Sequence, residues 1–224
     1  MAVPTNWKDK HKGERCFILA SGISVNKIDL SKLDGELVIG VNKSYKGRIA
    51  TYHCISDPAA MHYWSKELLE VAKQTNMVFS SPPCKKLTPG AHTVPLSYRQ
   101  LHKGGVINKN LNLTHWGRSV VLDLALPLAT YLGCRKVYLL GCDCSGSGHF
   151  YDLKPQSHVR DIIGPGVLEN YNKFKVLFEK MGGAIHISTP ASKLGMFSYV
   201  KFEDLFSEED GGDTSKGRVE ASAK

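Results

Sequence analysis

Residues Val137-Tyr138-Leu139-Leu140-Gly141-Cys142-Asp143-Cys144-Ser145 form an apolar run that ends in a small, polar, acid-bearing turn. Ahead of it, Ser119 to Gly133 has the apolar character of a buried helix, so the unit reads helix, Leu-Gly turn, strand, Gly-x-Asp. Ligands of open α/β sheets bind outside the carboxyl ends of the strands. Asp143 is therefore expected on the rim of a site. An earlier apolar run, Arg15 to Ala20, ends in Ser21-Gly22-Ile23-Ser24, a second polar turn that could face the same crevice.

Working outward, further strands are expected over Glu36–Val41, Ala50–Ser56, Asn76–Ser80 and Ala184–Ser188. Their apolar residues do not alternate with polar ones, which is the mark of strands covered on both faces. Helical spacing marks Met61–Thr75, with Met61, Trp64, Leu68 and Val71 along one side, and Val167–Met181, closed by Gly182-Gly183. The helix 119–132 must tolerate or kink at Pro127. Strands alternating with helices predict an α/β protein with a mostly parallel open sheet and helices on both faces. Residues 1–14 read as a polar N-terminal arm and 15–206 as one domain. Within it, 81–117 is rich in Pro and Gly and is expected to be a lid or insertion. Residues 207–224 are polar enough to be expected as a disordered tail.

A chain of 224 residues with 42% hydrophobic and 22% charged residues has the makings of a full core. No apolar run approaches the roughly 18 residues a membrane span needs. The N-terminal residues show charge without an apolar signal-like segment, so a cytoplasmic protein is expected. Six cysteines, several within apolar runs, read as reduced, buried thiols rather than a disulfide framework. The net charge of +8 suits an anionic ligand, such as nucleotide phosphates or nucleic acid, and serves solubility equally well. No helix-turn-helix, zinc-finger or RNA-binding motif accompanies it.

Each polar turn admits a functional and a purely structural reading. Gly22 allows close backbone approach to a phosphate or ribose, and Ser21 and Ser24 add donors, yet neither a dinucleotide fingerprint nor a P-loop is present. Asn42 and Asp57 lie just past strand ends, where they could meet a base or sugar hydroxyl or simply cap the next helix. Gly117, Arg118 and Ser119 open the long helix, whose N-terminus favours anions. Cys142 and Cys144 with His149 lack the second ligand pair of a structural zinc site, so no metal is expected. His149, Tyr151 and His158 lie beyond Asp143, and histidine suits proton transfer near neutrality.

In one order along the chain, FILASGISVNKIDLSKL, ELVIGVNKS, CISDP, GRSVVLDLALPLATYLGCRKVYLLGCDCSGSGHFYD and NKFKVLFEKMGGAIHISTPASKL resemble glycosyltransferase family 42, bacterial sialyltransferases that use CMP-sialic acid. The pattern also looks like the related MptE-like proteins, whose archaeal members include a hydroxymethyl-dihydropterin diphosphokinase. The resemblance spans about 15–200 and implies a Rossmann-like nucleotide-binding frame. It aligns the family's nucleotide-contacting first turn with Ala20–Val25, where Gly22 and Ser24 match and Ser21 and Ile23 depart. It implies nucleotide contacts at Asn42, Asp57, Gly117, Arg118 and Ser119. Two tyrosines that hold the leaving phosphate fall at Ser145, a departure, and at Tyr151. The family's catalytic histidine position is occupied by Gly166, and His158 lies eight residues earlier.

The expectation is thus a transferase, most simply a glycosyltransferase moving a sugar from a CMP- or UDP-linked donor to an acceptor hydroxyl. His158, or else His149, would deprotonate the acceptor. Asp143 would hold the loop or bind sugar or metal, the former being favoured. One alternative is diphosphoryl transfer from ATP to a pterin-like alcohol, with Mg²⁺ on Asp57 and Asp143. Another is a non-catalytic nucleotide or nucleic-acid-binding module. The partners expected are a nucleotide-activated small molecule and an acceptor that is a glycan or a nucleic acid, and homo-oligomer formation is left open.

Overall fold

In the computed structural model, which describes residues 3–56, 63–80, 92–94, 96–97, 111, 114–115, 119–145, 148–152, 164–190 and 192–207, the non-alternating apolar runs become strands buried on both sides. Burial on both faces holds for β1 (Arg15–Leu19), β2 (Leu37–Val41), β3 (Tyr52–Ile55), β4 (Asn76–Phe79) and β8 (Lys136–Leu140), whereas β9 (Ala184–Ile187) alternates and β10 (Ser198–Tyr199) is exposed; β5 (His92–Thr93), β6 (Leu96–Ser97) and β7 (Thr114–His115) are two-residue strands. Eight form one sheet in the order β10-β9-β8-β1-β2-β3-β4-β5, with every pair parallel, and β6 and β7 make a separate parallel pair. The α/β, Rossmann-like expectation is met. The described residues also extend the sheet by β5, inside the expected lid.

Alternate side chains sort to two cores. Cys16, Ile18, Leu37, Ile39 and Val41 pack against the helical stretch from Val121 and against a helix from Pro165 to Lys180. Phe17, Leu19, Val38 and Leu140 point the other way, onto Val25, Leu33, Phe202 and Leu205. Ile55, Met77 and Phe79 pack on α1 (Ser65–Ala72) through Leu68 and Val71.

The helix expected over 119–132 is not uniform. Val121–Ala125 is a π-helical turn and α2 (Leu126–Tyr131) comes directly after it, with the Leu126 N–H reaching back to the Val121 carbonyl. Pro127 has no N–H for the carbonyl four residues earlier, which loosens the ladder there. The N-terminal stretch is docked on the end of α2. Asp9 and His11 donate backbone N–H to the Tyr131 and Leu132 carbonyls, and Trp7 is buried. These bonds satisfy carbonyls that a helix end leaves open. The helix Pro165–Lys180, α3, starts with proline in its first turn, as the fixed φ of proline favours. No helix among the described residues is long and apolar enough to cross a membrane.

Candidate active site at the switch point of the sheet

The strand order runs outward from β1 through β2 to β5 on one side and from β8 to β10 on the other. β1 and β8 are therefore neighbours at the point where the winding reverses, where open α/β sheets bind ligands. Their register pairs Leu19 with Leu140, and the pairing continues past both strands: Ala20 N–H donates to the Leu140 carbonyl and Gly22 N–H to the Gly141 carbonyl at 2.8 Å. Two positions here accept only glycine. A Cβ on Gly22 would strike the Gly141 carbonyl oxygen and come within 2.5 Å of the Asp143 carboxyl carbon. Gly141 has φ +65°, and a Cβ there would meet Val25 at 2.5 Å.

Asp143 is buried, and its carboxylate is turned inward rather than toward the crevice. Oδ2 accepts the Ser24 backbone N–H at 2.9 Å, and Oδ1 accepts the Ser24 hydroxyl. Ser24, expected as a nucleotide contact, and Asp143, expected to hold the loop or to bind ligand, thus clamp the two strand-end turns to each other across 119 residues of chain. The clamp is supported from behind: Gly141 N–H donates to Thr189, the Ser192 hydroxyl to the Cys142 carbonyl, and Lys193 N–H to the Asp143 carbonyl. Burial, followed by the neighbouring Asp143, pushes the Cys144 thiol up to about 12. The Cys142 thiol is also raised by burial, so both stay protonated. Among the described residues no cluster of three or more His, Cys, Asp or Glu is placed to hold a metal ion.

A strap of four residues crosses the first turn. His149 bridges Gly22 in antiparallel fashion, and Phe150 N–H donates to the Ser21 carbonyl at 3.1 Å. Phe150 anchors the strap in the core beside Leu30. Burial pushes the Tyr151 phenol up to about 12, against a smaller opposing effect of Ser21, so it stays protonated through neutral pH. The His149 ring lies parallel to Tyr151, with centroids 5.1 Å apart. Asp152 Oδ2 accepts the His149 backbone N–H at 3.1 Å and sits 2.8 Å from its Nδ1. Asp152 and its pairing were not read from the sequence, where a His-x-x-Asp spacing is unremarkable without the turn that closes it.

At the end of β2, Asn42 adopts φ +51°, and its side-chain Oδ1 is buried with no partner among the described residues. That leaves an acceptor beside the site. His53 lies beneath, its Nε2 donating to the Asn42 carbonyl at 2.6 Å, and burial lowers it to about 4, a neutral ring. Lys43 sits 4.6 Å from the Trp64 ring centroid, and Lys46 lies 3.6 Å from Glu67 and 5.9 Å from the Tyr151 ring centroid. The Tyr45 hydroxyl donates to Glu67 at 2.5 Å, so this corner mixes aromatic faces with two cations. Neither the Lys pair nor Tyr45 was singled out in the sequence.

Ser119 stands at the head of the π-turn, its hydroxyl 2.9 Å from that of Tyr171. Ser145 is half-buried, two residues past Asp143. Asp57, Gly117, Arg118 and His158, most of the expected lid, and residues 208–224 of the expected tail lie outside the described residues. The structure thus brings together Ser21, Gly22, Ser24, Asp143, His149 and Tyr151, with Asn42 on the next strand along.

No family model matches the chain, and a search of curated proteins finds no match. Solved structures do. The crystal structure of the sialyltransferase CST-II with trisaccharide acceptor and CMP is similar at TM-score 0.53 and 17% identity, over 84% of this chain and 86% of that one. CstII from Campylobacter jejuni, in complex with the substrate analogue CMP-3FNeuAc, gives 0.52 and 15% over the same shares. The MAf glycosyltransferase from Magnetospirillum magneticum AMB-1 gives 0.53 and 13%, over 88% of this chain but 37% of its own length. The chain shares their fold.

Proposed function

We propose that this chain is a glycosyltransferase that moves a sugar from a nucleotide-linked donor to an acceptor hydroxyl. The observation that carries the reading is the switch point itself. A glycine turn held by the Asp143 clamp, and crossed by a strap bearing Tyr151, lies at the carboxyl ends of β1 and β8 in a fold shared with structures that hold CMP or CMP-3FNeuAc. Those neighbours favour CMP as the donor nucleotide and a glycan as acceptor.

The base lies between the turns after β1 and β2, where the Asn42 Oδ1 offers an acceptor to an exocyclic N–H or a ribose hydroxyl. The donor phosphate lies against the Tyr151 hydroxyl and the helix start at Ser119, with Lys46 nearby. The acceptor oxygen attacks the anomeric carbon as its bond to the nucleotide phosphate breaks, and the departing oxygen takes the electron pair. Fixed donors aimed at that oxygen act where charge develops, which lowers the barrier. The diphosphokinase alternative is disfavoured because both Asp143 oxygens are engaged by Ser24, which removes Asp143 from Mg²⁺ ligation. The five described cysteines are free thiols, which supports a reducing compartment such as the cytoplasm.

A thermal-shift panel of CMP, UDP, GDP and ATP, each with and without Mg²⁺, tests the proposal. CMP or UDP is expected to raise the midpoint without metal. Stabilisation by ATP with Mg²⁺ alone would sink the glycosyltransferase reading.

A further inference from the structure

We propose that His149 is the proton acceptor for the incoming hydroxyl and that Asp152 is the positioning residue that fixes its ring. The assignment rests on the glycosyltransferase reading above and adds to it the group that activates the acceptor. Three independent constraints hold the imidazole. The backbone of His149 is bridged to Gly22, so the ring leaves the chain directly beside the first turn of the switch point. One face lies flat on Tyr151, with 5° between the planes. At the ring edge, Asp152 Oδ2 stands 2.8 Å from Nδ1 and is tied to the same residue's backbone N–H, so the carboxylate cannot swing away without breaking two contacts.

A carboxylate only accepts, so the hydrogen between Asp152 and Nδ1 belongs to the imidazole. A neutral ring protonated on Nδ1 carries its lone pair on Nε2, across the ring from Asp152. This is the arrangement a general base needs: one nitrogen oriented by a carboxylate, the other open to a substrate proton. The Asp152 side chain is 12% exposed and that of His149 33%, so the orienting group is sheltered while the ring edge can be reached. Among the described residues, Tyr151 and Asp152 contact the ring, Asp143 lies behind Gly22, and Glu67 and Lys46 lie beyond Tyr151.

The step balances. The acceptor O–H proton passes to Nε2 while the acceptor oxygen forms its bond to the anomeric carbon. The carbon–oxygen bond to the nucleotide phosphate breaks, and the leaving phosphate carries the electron pair. The imidazolium, paired with Asp152, then releases its proton to water.

The test uses the full chain with His149→Gln, Asp152→Asn, Asp152→Glu and His158→Gln. Binding of CMP and UDP is measured by calorimetry. Transfer is followed as nucleotide release from CMP-N-acetylneuraminate and UDP-N-acetylglucosamine with a mixed glycan acceptor pool. Long-range ¹H–¹⁵N NMR reads the His149 tautomer and needs no substrate. Wild-type His149 is expected in the Nδ1–H form, shifted toward Nε2–H by Asp152→Asn. His149→Gln and Asp152→Asn should lower kcat by about 10²–10⁴-fold, with donor KM within about twofold and partial recovery in Asp152→Glu. Nucleotide binding with transfer retained in His149→Gln, loss confined to His158→Gln, or an Nε2–H tautomer in the wild type each overturns the assignment and leaves the glycosyltransferase reading standing. Failure of the wild type to bind CMP or UDP overturns that reading and the assignment with it.

Discussion

Replacing Asp143 separates a clamp from a ligand contact. Its two oxygens accept the Ser24 N–H and O–H, with Asp143 4% and Ser24 2% exposed, so water cannot readily take over either bond. Hydrogen bonds to a charged group contribute about 1.5–3 kcal/mol each, and two from one residue are not additive. Asp143→Ala should therefore destabilise the fold by about 3 kcal/mol, since it orphans two buried donors and opens a small void. At about 2–4 °C per kcal/mol for a chain of this size, Tm falls by about 6–12 °C. Asp143→Asn keeps one acceptor, and the Ser24 hydroxyl can turn to accept from the new amide, so about 1 kcal/mol is expected. Urea and thermal unfolding give these values, and calorimetry with CMP on the folded protein gives binding. If Asp143→Ala stays within about 1 kcal/mol of wild type while CMP binding vanishes, the carboxylate contacts ligand and the clamp argument is wrong.

Gly22→Ala adds a methyl against the Gly141 carbonyl and the Asp143 carboxyl, and should cost about 1–3 kcal/mol in urea unfolding together with CMP binding. Wild-type stability and affinity in that variant would contradict the tight approach. Tyr151→Phe should weaken CMP about tenfold with unchanged Tm, and wild-type affinity should be flat from about pH 7.5 to 9, where the CMP phosphate is already fully ionised, because burial keeps the phenol protonated to about 12. The sign for His53 comes from its lowered value of about 4 in the fold against about 6.5 when unfolded. The unfolded chain binds the proton more readily, so the stabilisation is complete above about pH 6.5 and is lost as pH falls toward 4, by up to about 3 kcal/mol. His53→Gln, which can still donate to the Asn42 carbonyl, should flatten that part of the stability profile between pH 7 and 4.5. An unchanged slope would show that other groups set it.

The strands were legible because burial on both faces leaves a continuous apolar run. Glu36–Val41 was expected where Leu37–Val41 forms, and the apolar run ahead of Gly141 forms Lys136–Leu140. The interior of the helix after Ser119 was less legible, since apolar character says where a segment is buried and not how its hydrogen bonds run. The π-turn ends two residues before Pro127, which lacks a backbone N–H. The clamp was half legible. Asp143 and Ser24 were each marked as polar residues past strand ends, but their contact needs β1 and β8 to be neighbours, a fact of winding order rather than of local sequence. Asp152 was invisible for a related reason: its oxygen meets His149 only because the Asp152 N–H to His149 carbonyl bond closes the turn. β5, two residues long, is too short to carry any periodic signal.

The geometry divides labour between two layers of the same site. The lower layer is buried: Gly22 and Gly141 in backbone contact, locked by Asp143 on Ser24 and backed by Thr189. The upper layer is the strap, which touches the lower one through the backbone at Ser21 and Gly22 and is seated by Phe150. Such a strap can exchange the side chains that face the ligand without moving the frame, because its register is fixed by main-chain bonds that any residue can make. Gly141 and Asp143 belong to the lower layer, whereas the proposed base His149 and its partner Asp152 sit on the strap. On this reasoning the strap variants His149→Gln and Asp152→Asn should unfold within a few degrees of wild type, whereas Asp143→Ala and Gly22→Ala should not. A common loss of stability across all four would mean that strap and clamp are one structural unit.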